Sequence, residues 1–150
     1  MSAIALRPAT VDDLPYIFRR WTDALLDEAP WRYLPRKRFI DQLRTRQREI
    51  LARRDVQVVV ACNAEMRTHI VGFAVVTSRP GLDRLEAVYT APPFRCLGVA
   101  TSMLRAVFPA FRSSVLVCPN QTASARALRS RWLLVEAQPA SAPRRVEACA

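Results

Sequence analysis

The sequence has one histidine, one lysine and no closely spaced pair of cysteines. The four cysteines are scattered along the chain as Cys62, Cys96, Cys118 and Cys149. With His69 as the single histidine, the ligand spacing of a zinc site is missing, and so is the dense cysteine pattern of a disulfide framework. We therefore predict no metal site and interpret most of the cysteines as small buried hydrophobic residues.

Long hydrophobic runs are also missing. No stretch approaches the roughly 20 consecutive apolar residues that a membrane-spanning helix needs. Near the N-terminus, Asp12 and Asp13 stand where a secretory signal peptide would have its apolar core. The sequence predicts a soluble, cytoplasmic protein without membrane contact.

The chain carries a strong excess of positive charge. Its 150 residues include 23 basic and 13 acidic side chains, for a formal net charge of +10, and Lys37 is the only lysine. An arginine-rich surface favours polyanions, which include nucleic acid, acidic proteins and small molecules that carry phosphate. With 51% hydrophobic residues, the chain is long enough for one domain, residues 1–150, and too short for two ordinary ones.

The stretch 85–108 organises the rest of the chain. It begins with a short apolar segment that ends at Tyr89 and predicts a strand, because the two consecutive prolines that follow cannot continue a ladder. From Val99 the apolar residues recur at helical spacing until Pro109. The pattern therefore predicts a strand, a turn and a helix.

The turn between this strand and helix is nearly bare of side chains. Gly98 and Ala100 allow an oxygen-rich ligand to approach the backbone closely. The start of the helix behind them supplies N–H groups without intrahelical partners. We predict that the turn binds a diphosphate.

The pattern R-x-x-G-x-A, matched by Arg95, Gly98 and Ala100, resembles the acetyl-CoA-binding signature of the GCN5-related N-acetyltransferase (GNAT) superfamily. The resemblance implies coenzyme A as cofactor, with acetyl-CoA as the acetyl donor. Its diphosphate would bind the backbone N–H groups of the turn, and its pantetheine amides would pair with the central strand. The residues assigned to the cofactor in this way are Ala87, Val88, Tyr89, Arg95, Cys96, Leu97, Gly98, Val99, Ala100 and Asn120.

The flanking segments follow the order β-α-α-β-β-β-α-β-α-β-β, which is the family's order. Sequence patterns predict further strands at 4–8, 56–62, 70–77 and 114–118, helices beginning near residue 12, at 36–54 and at 122–131, and a closing hairpin from 132–136 and 145–149. Pro15 fits only the first turn of the first helix, which favours Asp12 as its cap. The resemblance implies an α/β (α+β) fold: a mixed, mostly antiparallel sheet of six to seven strands flanked by about four helices, with a splayed central strand pair.

A proline-rich segment, 27–35, connects the first two helices. In the family the equivalent connection lines the acceptor pocket, and here it carries Asp27, Glu28, Trp31 and Tyr33. Acids and aromatic faces suit an ammonium group, so the resemblance implies that these four residues bind an amine substrate. The alternative is a loop whose aromatic side chains only cover the edge of the core.

Acetyl transfer to an amine needs a proton acceptor, because an alkyl ammonium has a pKa of about 10. Related enzymes often hold a glutamate on the central strand that acts through water, a role that the resemblance gives to Glu86; the alternative is a structural pairing with Arg84. Many members place a tyrosine on the last helix to protonate the departing thiolate, but this sequence has no tyrosine after Tyr89. Ser124 is the remaining candidate for that role, and solvent is the alternative.

Two functional hypotheses follow. The resemblance implies an acetyl-CoA-dependent N-acetyltransferase that acts on a primary amine of a small molecule or protein. The missing tyrosine and the arginine content support an alternative hypothesis. In it, the protein has this fold but is a binding or structural component of an assembly, for example of a virion. Its polyanionic or assembly partner would bind the arginine-rich helix 36–54, which is otherwise a solvated face with arginine stems over apolar surface. The sequence leaves open whether the protein forms a homo-oligomer.

Overall fold

The structure, a computed structural model, describes residues 3–26, 35–80, 82–108, 116–118, 128 and 134–136. Six strands and three α-helices lie in this part of the chain. The strands are β1 (Ile4–Pro8), β2 (Val56–Asn63), β3 (Ile70–Arg79), β4 (Leu82–Thr90), β5 (Leu116–Cys118) and β6 (Leu134–Glu136). The helices are α1 (Leu14–Leu26), α2 (Arg36–Leu51) and α3 (Val99–Val107).

The six strands form one sheet in the order β1-β2-β3-β4-β5-β6. Neighbours from β1 to β4 are antiparallel, whereas β5 pairs parallel with both β4 and β6. This arrangement confirms the predicted mixed α/β fold with a mostly antiparallel sheet. Two predicted elements lie outside the described residues: the last helix, 122–131, apart from Leu128, and the last strand, 145–149. The total numbers of strands and helices therefore stay predictions.

The predicted bounds are close to the observed ones, and the differences have local causes. β3 and β4 are longer than predicted, since their ladder continues through polar pairs to Arg79 and Leu82. α2 ends three residues before the predicted position 54. Just after its end, the Nε of Arg53 donates to Oδ1 of Asp55 at 2.8 Å. The chain turns there because Asp55 also accepts a hydrogen bond from Arg79 of β3, at 2.9 Å.

Both faces of the sheet are covered, as the apolar runs of β2 and β3 predict. One face packs against α1 and α2 through a cluster that includes Ile17, Trp21, Leu25, Phe39, Phe73 and Val75. The other packs against α3 through a cluster that includes Val71, Val76, Leu85, Met103 and Leu104. We call these the α1/α2 face and the α3 face.

The start of α1 is fixed by the carboxylate of Asp13. It accepts hydrogen bonds from Nη1 and Nη2 of Arg7, at 2.6 and 2.8 Å, and from the backbone N–H of Thr10, at 2.7 Å. A turn of 3-10 helix, Val11–Asp13, therefore precedes α1. The prediction that Asp12 caps this helix is wrong, because Thr10 and Asp13 form the cap and Asp12 is exposed.

Replacing Asp13 with Asn is expected to lower the free energy of unfolding by about 2 to 3 kcal/mol at neutral pH, because it leaves the Arg7 guanidinium without its charged partner. The side chains of Asp13 and Arg7 are only 7% and 20% exposed, so solvent screens their attraction little. Hydrogen bonds from Arg7 and Thr10 hold the pKa of Asp13 far below its ordinary value. The ionised carboxylate therefore stabilises the fold above the unfolded-state pKa of about 4, and this stabilisation is lost as the pH falls below it.

Denaturant unfolding at pH 7 and pH 3 checks this expectation. The difference between the parent and Asp13→Asn should shrink at pH 3. Asp12→Asn removes the same charge from an exposed neighbour and should unfold like the parent at pH 7. A parent and an Asp13→Asn variant of equal stability at pH 7 would contradict the assigned role.

The outward face of α2 is rich in cations. Arg36, Lys37, Arg38, Arg44, Arg46 and Arg48 are all exposed. The buried residues of the helix are Phe39, Leu43, Gln47 and Ile50. None of the six cations forms an ion pair with another described residue. This is the solvated face that the sequence indicated, and a polyanionic partner for it stays a prediction.

Candidate functional site

The end of β4 leads into the turn that the sequence singles out. A short 3-10 turn, Pro92–Phe94, follows β4, and α3 begins at Val99. Between them, Cys96 and Gly98 adopt positive φ angles of 64° and 79°. Left-handed residues in a short turn are typical of backbone concavities that bind anions through successive N–H groups.

Gly98 is the N-terminal cap of α3. Its φ of 79° is a backbone conformation that L-residues rarely adopt, yet a Cβ at this position would approach no other described part of the chain within 4 Å. The backbone conformation therefore favours glycine here and crowding does not require it, and no described residue fills the space in front of the helix. No side chain in the described part of the chain caps α3, which leaves its first N–H groups without a described partner. The turn fits an oxygen-rich anion such as a diphosphate.

The side chains of the turn divide between solvent and core. Val99 is buried at 3% exposure, whereas Arg95, Cys96 and Leu97 are exposed. The Nε of Arg95 donates to the backbone oxygen of Thr90 at 3.1 Å, which ties the turn to the end of β4. The interpretation of the cysteines as buried residues does not hold for Cys96, because this left-handed turn is on the surface; Cys62 is buried.

Within the described segments, β4 is paired along its whole length on one side and at its start alone on the other. Its pairing with β3 runs from Leu82 to Thr90. Its pairing with β5 includes only Asp83 and Arg84. Among the described residues, the later part of β4 thus has no strand partner on the β5 side. This part contains Ala87, Val88 and Tyr89, and an edge without a described partner suits an extended ligand that adds to the strand.

Gly72 lets β3 and β4 approach each other closely at this point. A Cβ on Gly72 would lie 2.7 Å from the backbone oxygen of Tyr89 and 3.4 Å from Cε of Met103 on α3. In the sequence, Gly72 lies within the predicted strand 70–77. The structure gives the physical reason for the glycine, which is the close contact with the backbone of β4.

Glu86 is the extra residue of a β-bulge in β4. Leu85 pairs with Val76 and Ala87 with Val75, so Glu86 falls between two consecutive register pairs of the ladder. The bulge interrupts the alternation of side chains along the strand. Sequence patterning missed it, because a bulge is defined by the register of two strands and not by the residues of one.

The carboxylate of Glu86 is buried and paired. Glu86 is 3% exposed and accepts a hydrogen bond from the hydroxyl of Thr77, at 3.1 Å. The same carboxylate oxygen lies 3.4 Å from Nε of Arg84. Since Thr77 alternates with Val75, which packs on the α1/α2 face, Glu86 points to that face. The structure thus contains the pairing with Arg84 that the sequence left as an alternative, and Thr77 is a partner that the sequence did not reveal.

The other predicted site residues lie outside the described part of the chain. These are Asp27, Glu28, Trp31, Tyr33, Asn120 and Ser124. Their roles stay predictions. Within the described segments, no group of three or more His, Cys, Asp or Glu side chains is placed to hold a metal ion. No helix in those segments is long and apolar enough to cross a membrane.

Solved structures with the same fold are found among acetyltransferases. A protein from Pyrococcus furiosus described as an acetyl transferase has a TM-score of 0.70 at 10% identity, over 94% of this chain and 99% of that one. A predicted acetyltransferase from Clostridium acetobutylicum, solved with acetyl-CoA, has a TM-score of 0.61 at 16% identity, over 86% and 88%. An aminoglycoside N-acetyltransferase in complex with CoA has a TM-score of 0.55 at 17% identity, over 87% and 85%. At these identities the likeness shows the fold alone.

Sequence comparison supplies the family. No curated protein matches the chain significantly. The model of the acetyltransferase (GNAT) family matches residues 18–130, which include α2, the strands β2 to β5, the turn and α3. This match extends over more than half of the chain and agrees with the fold and with the turn before α3. The chain therefore belongs to the acetyltransferase (GNAT) family.

Proposed function

We propose that this protein is an acetyl-CoA-dependent N-acetyltransferase that acts on a primary amine. The observation that supports this most directly is the turn before α3. Its left-handed Cys96 and Gly98, the open space in front of Gly98 and the uncapped helix start together fit a diphosphate. The family match and two CoA-bound structures of the same fold support the same ligand.

Two groups of described residues would contact two different parts of the cofactor. The backbone N–H groups from Cys96 to Ala100 would hold the diphosphate, and the exposed guanidinium of Arg95 adds positive charge beside it. The unpaired side of β4 at Ala87, Val88 and Tyr89 would bind the pantetheine amides. Asn120 stays a predicted contact from the sequence resemblance.

Bound acetyl-CoA supplies a thioester, so that a C–N bond to the amine forms as the C–S bond breaks. The protein must then place the amine, accept the proton that its nitrogen releases, and let the thiolate gain a proton. Glu86 is the proposed proton acceptor, through water, because it directly precedes the part of β4 that has no strand partner on the β5 side among the described residues. Ser124 or solvent would return a proton to the thiolate.

An acceptor is proposed to bind the segment 27–35. Asp27, Glu28, Trp31 and Tyr33 supply the acids and aromatic faces that suit an ammonium group. Only the uncharged amine attacks, so the ammonium must lose a proton after it is bound.

Release of free thiol from acetyl-CoA, measured over a panel of primary amines, tests the proposed function. The expected result is thiol release that depends on an amine and that is matched by an equal amount of N-acetylated product in the mass spectrum. Two results would contradict the proposal. One is thiol release that does not depend on any amine, and the other is an absence of thiol release together with an absence of acetyl-CoA binding.

A further inference from the structure

A cation lies between two aromatic rings on the α1/α2 face, beside β4. The guanidinium carbon of Arg20, on α1, is 5.7 Å from the centre of the Tyr16 ring and 5.8 Å from the centre of the Tyr89 ring. The Tyr89 ring is stacked on buried Phe73, with centroids 5.7 Å apart. We call Tyr16, Arg20 and Tyr89 the Tyr-Arg-Tyr cluster. Contacts with two rings hold the guanidinium in place.

The charge of this cluster has no closely bound carboxylate among the described residues. Its ion-pair partner is Asp23, whose Oδ2 lies 4.0 Å from Nη1 of Arg20. The side chains of Arg20 and Asp23 are 42% and 49% exposed, so water and salt screen this pair. The Nε–H of Arg20 is buried and has no hydrogen-bond partner in the described part of the chain. The Arg20 side chain as a whole is 42% exposed, so an anionic ligand is able to reach the other N–H donors of its guanidinium.

The two phenols add uncharged donors. Burial raises the pKa of Tyr16 above its ordinary value; the Tyr89 phenol acts in the same direction, and Arg20 opposes them. The hydroxyl of Tyr16 thus stays protonated at neutral pH and is able to donate a hydrogen bond. A planar guanidinium fixed between rings matches the geometry of a carboxylate better than a flexible ammonium does.

The cluster lies on the same side of the sheet as the proposed proton acceptor. Ala87 and Tyr89 both pack with the residues under α1 and α2. Glu86 reaches Thr77 on that face. At about 3.3 Å per residue, Tyr89 is roughly 7 Å along β4 from Ala87. A small molecule is long enough to contact both Tyr89 and the region of β4 around Ala87.

The geometry points to the Tyr-Arg-Tyr cluster as a binding subsite for a carboxylate on the acceptor, so that the acceptor is a small amino acid or a similar molecule with both an amine and a carboxylate. This inference rests on the proposed function for the fate of the amine. The carboxylate binds the guanidinium of Arg20, with the phenols of Tyr16 and Tyr89 on either side. The amine is then directed along β4 toward Glu86.

Binding of product-like probes tests the subsite without the chemical reaction. The probes are N-acetylglycine, N-acetyl-β-alanine and N-acetyl-γ-aminobutyrate, each compared with its primary amide, which has the same shape and no charge. Calorimetric titrations are made with and without saturating coenzyme A. At least one carboxylate is expected to bind about 10- to 100-fold more tightly than its amide, the range of a charge-assisted hydrogen bond.

Arg20→Gln should remove this preference, and Tyr89→Phe, which keeps the stacked ring, should weaken it in part. Arg19→Gln is the matched control, because Arg19 is an exposed neighbour on the same helix. It should keep the preference of the parent. Unfolding curves of the variants establish that each one is folded.

Two results would overturn the inference: no carboxylate bound better than its amide, or a preference that survives in Arg20→Gln. In either case the guanidinium is only a structural contact between α1 and β4. Titration of the protein with coenzyme A alone is a separate measurement. A failure of the proposed function appears there as an absence of coenzyme A binding, whereas a failure of the subsite appears in the titrations with the probes.

Discussion

Gly98→Asp is expected to lower the affinity for coenzyme A by about 100-fold or more. The substitution places a carboxylate at the start of α3, in the open space that we assign to the diphosphate. Repulsion between like charges a few ångströms apart, in a partly shielded turn, amounts to several kcal/mol. Affinity is measured by calorimetric titration of the parent and the variant with coenzyme A.

Gly98→Asn is the matched control for this prediction. It has nearly the same shape, it tolerates a positive φ, and it carries no charge. Both variants should fold, because Asp and Asn are favoured at helix starts and a Cβ at Gly98 meets no neighbouring atom within 4 Å. Asn is expected to retain most of the affinity that Asp loses. Equal coenzyme A binding by the Asp variant and the parent would show that the diphosphate lies elsewhere.

Glu86→Gln is expected to lower turnover roughly 100-fold at neutral pH, the usual size of an effect of a lost general base. Gln retains an acceptor for the hydroxyl of Thr77 but cannot take a proton. The defect should shrink at alkaline pH, where more of the amine is already uncharged. The pH dependence of kcat, measured with the best amine of the panel, checks this expectation.

The contact with Arg84 requires a second control, because the Gln variant also leaves a half-buried guanidinium without its partner. The double variant Arg84→Gln, Glu86→Gln removes both charges and should recover stability without recovering turnover. Asp83→Asn changes another acid of β4, whose side chain binds the hydroxyl of Ser78 at 2.6 Å, and should leave turnover unchanged. If the pH dependence of kcat in Glu86→Gln is identical to that of the parent, then water or another group accepts the proton.

Sequence reasoning predicted the parts of the fold that depend on local chemistry. The apolar period of α1 and the glycine before α3 are predictable from the sequence, because each depends on residues that are close together in the chain. The bare turn at Gly98 was found in the same way, since glycine is the residue that a left-handed helix start requires. The apolar runs of β2 and β3 indicated burial on both faces, and both faces are covered.

Features set by strand register or distant contacts were not predictable from the sequence. The bulge at Glu86 depends on how β3 and β4 align, and the hydroxyl of Thr77 reaches the carboxylate only in that alignment. The position of Arg20 between Tyr16 and Tyr89 joins residues more than 60 positions apart in the chain. The cap at Asp13 was misassigned because its partner, Arg7, belongs to β1.

The most direct test of this account is a calorimetric titration of the purified protein with acetyl-CoA, since every proposed role depends on that ligand. We expect one molecule to bind each chain, with an affinity that depends only modestly on salt because backbone donors hold the diphosphate at short range. Gly98→Asp should weaken this binding about 100-fold or more under the same conditions. A parent protein that binds no acetyl-CoA, or binds it equally well with Asp at position 98, would contradict the account.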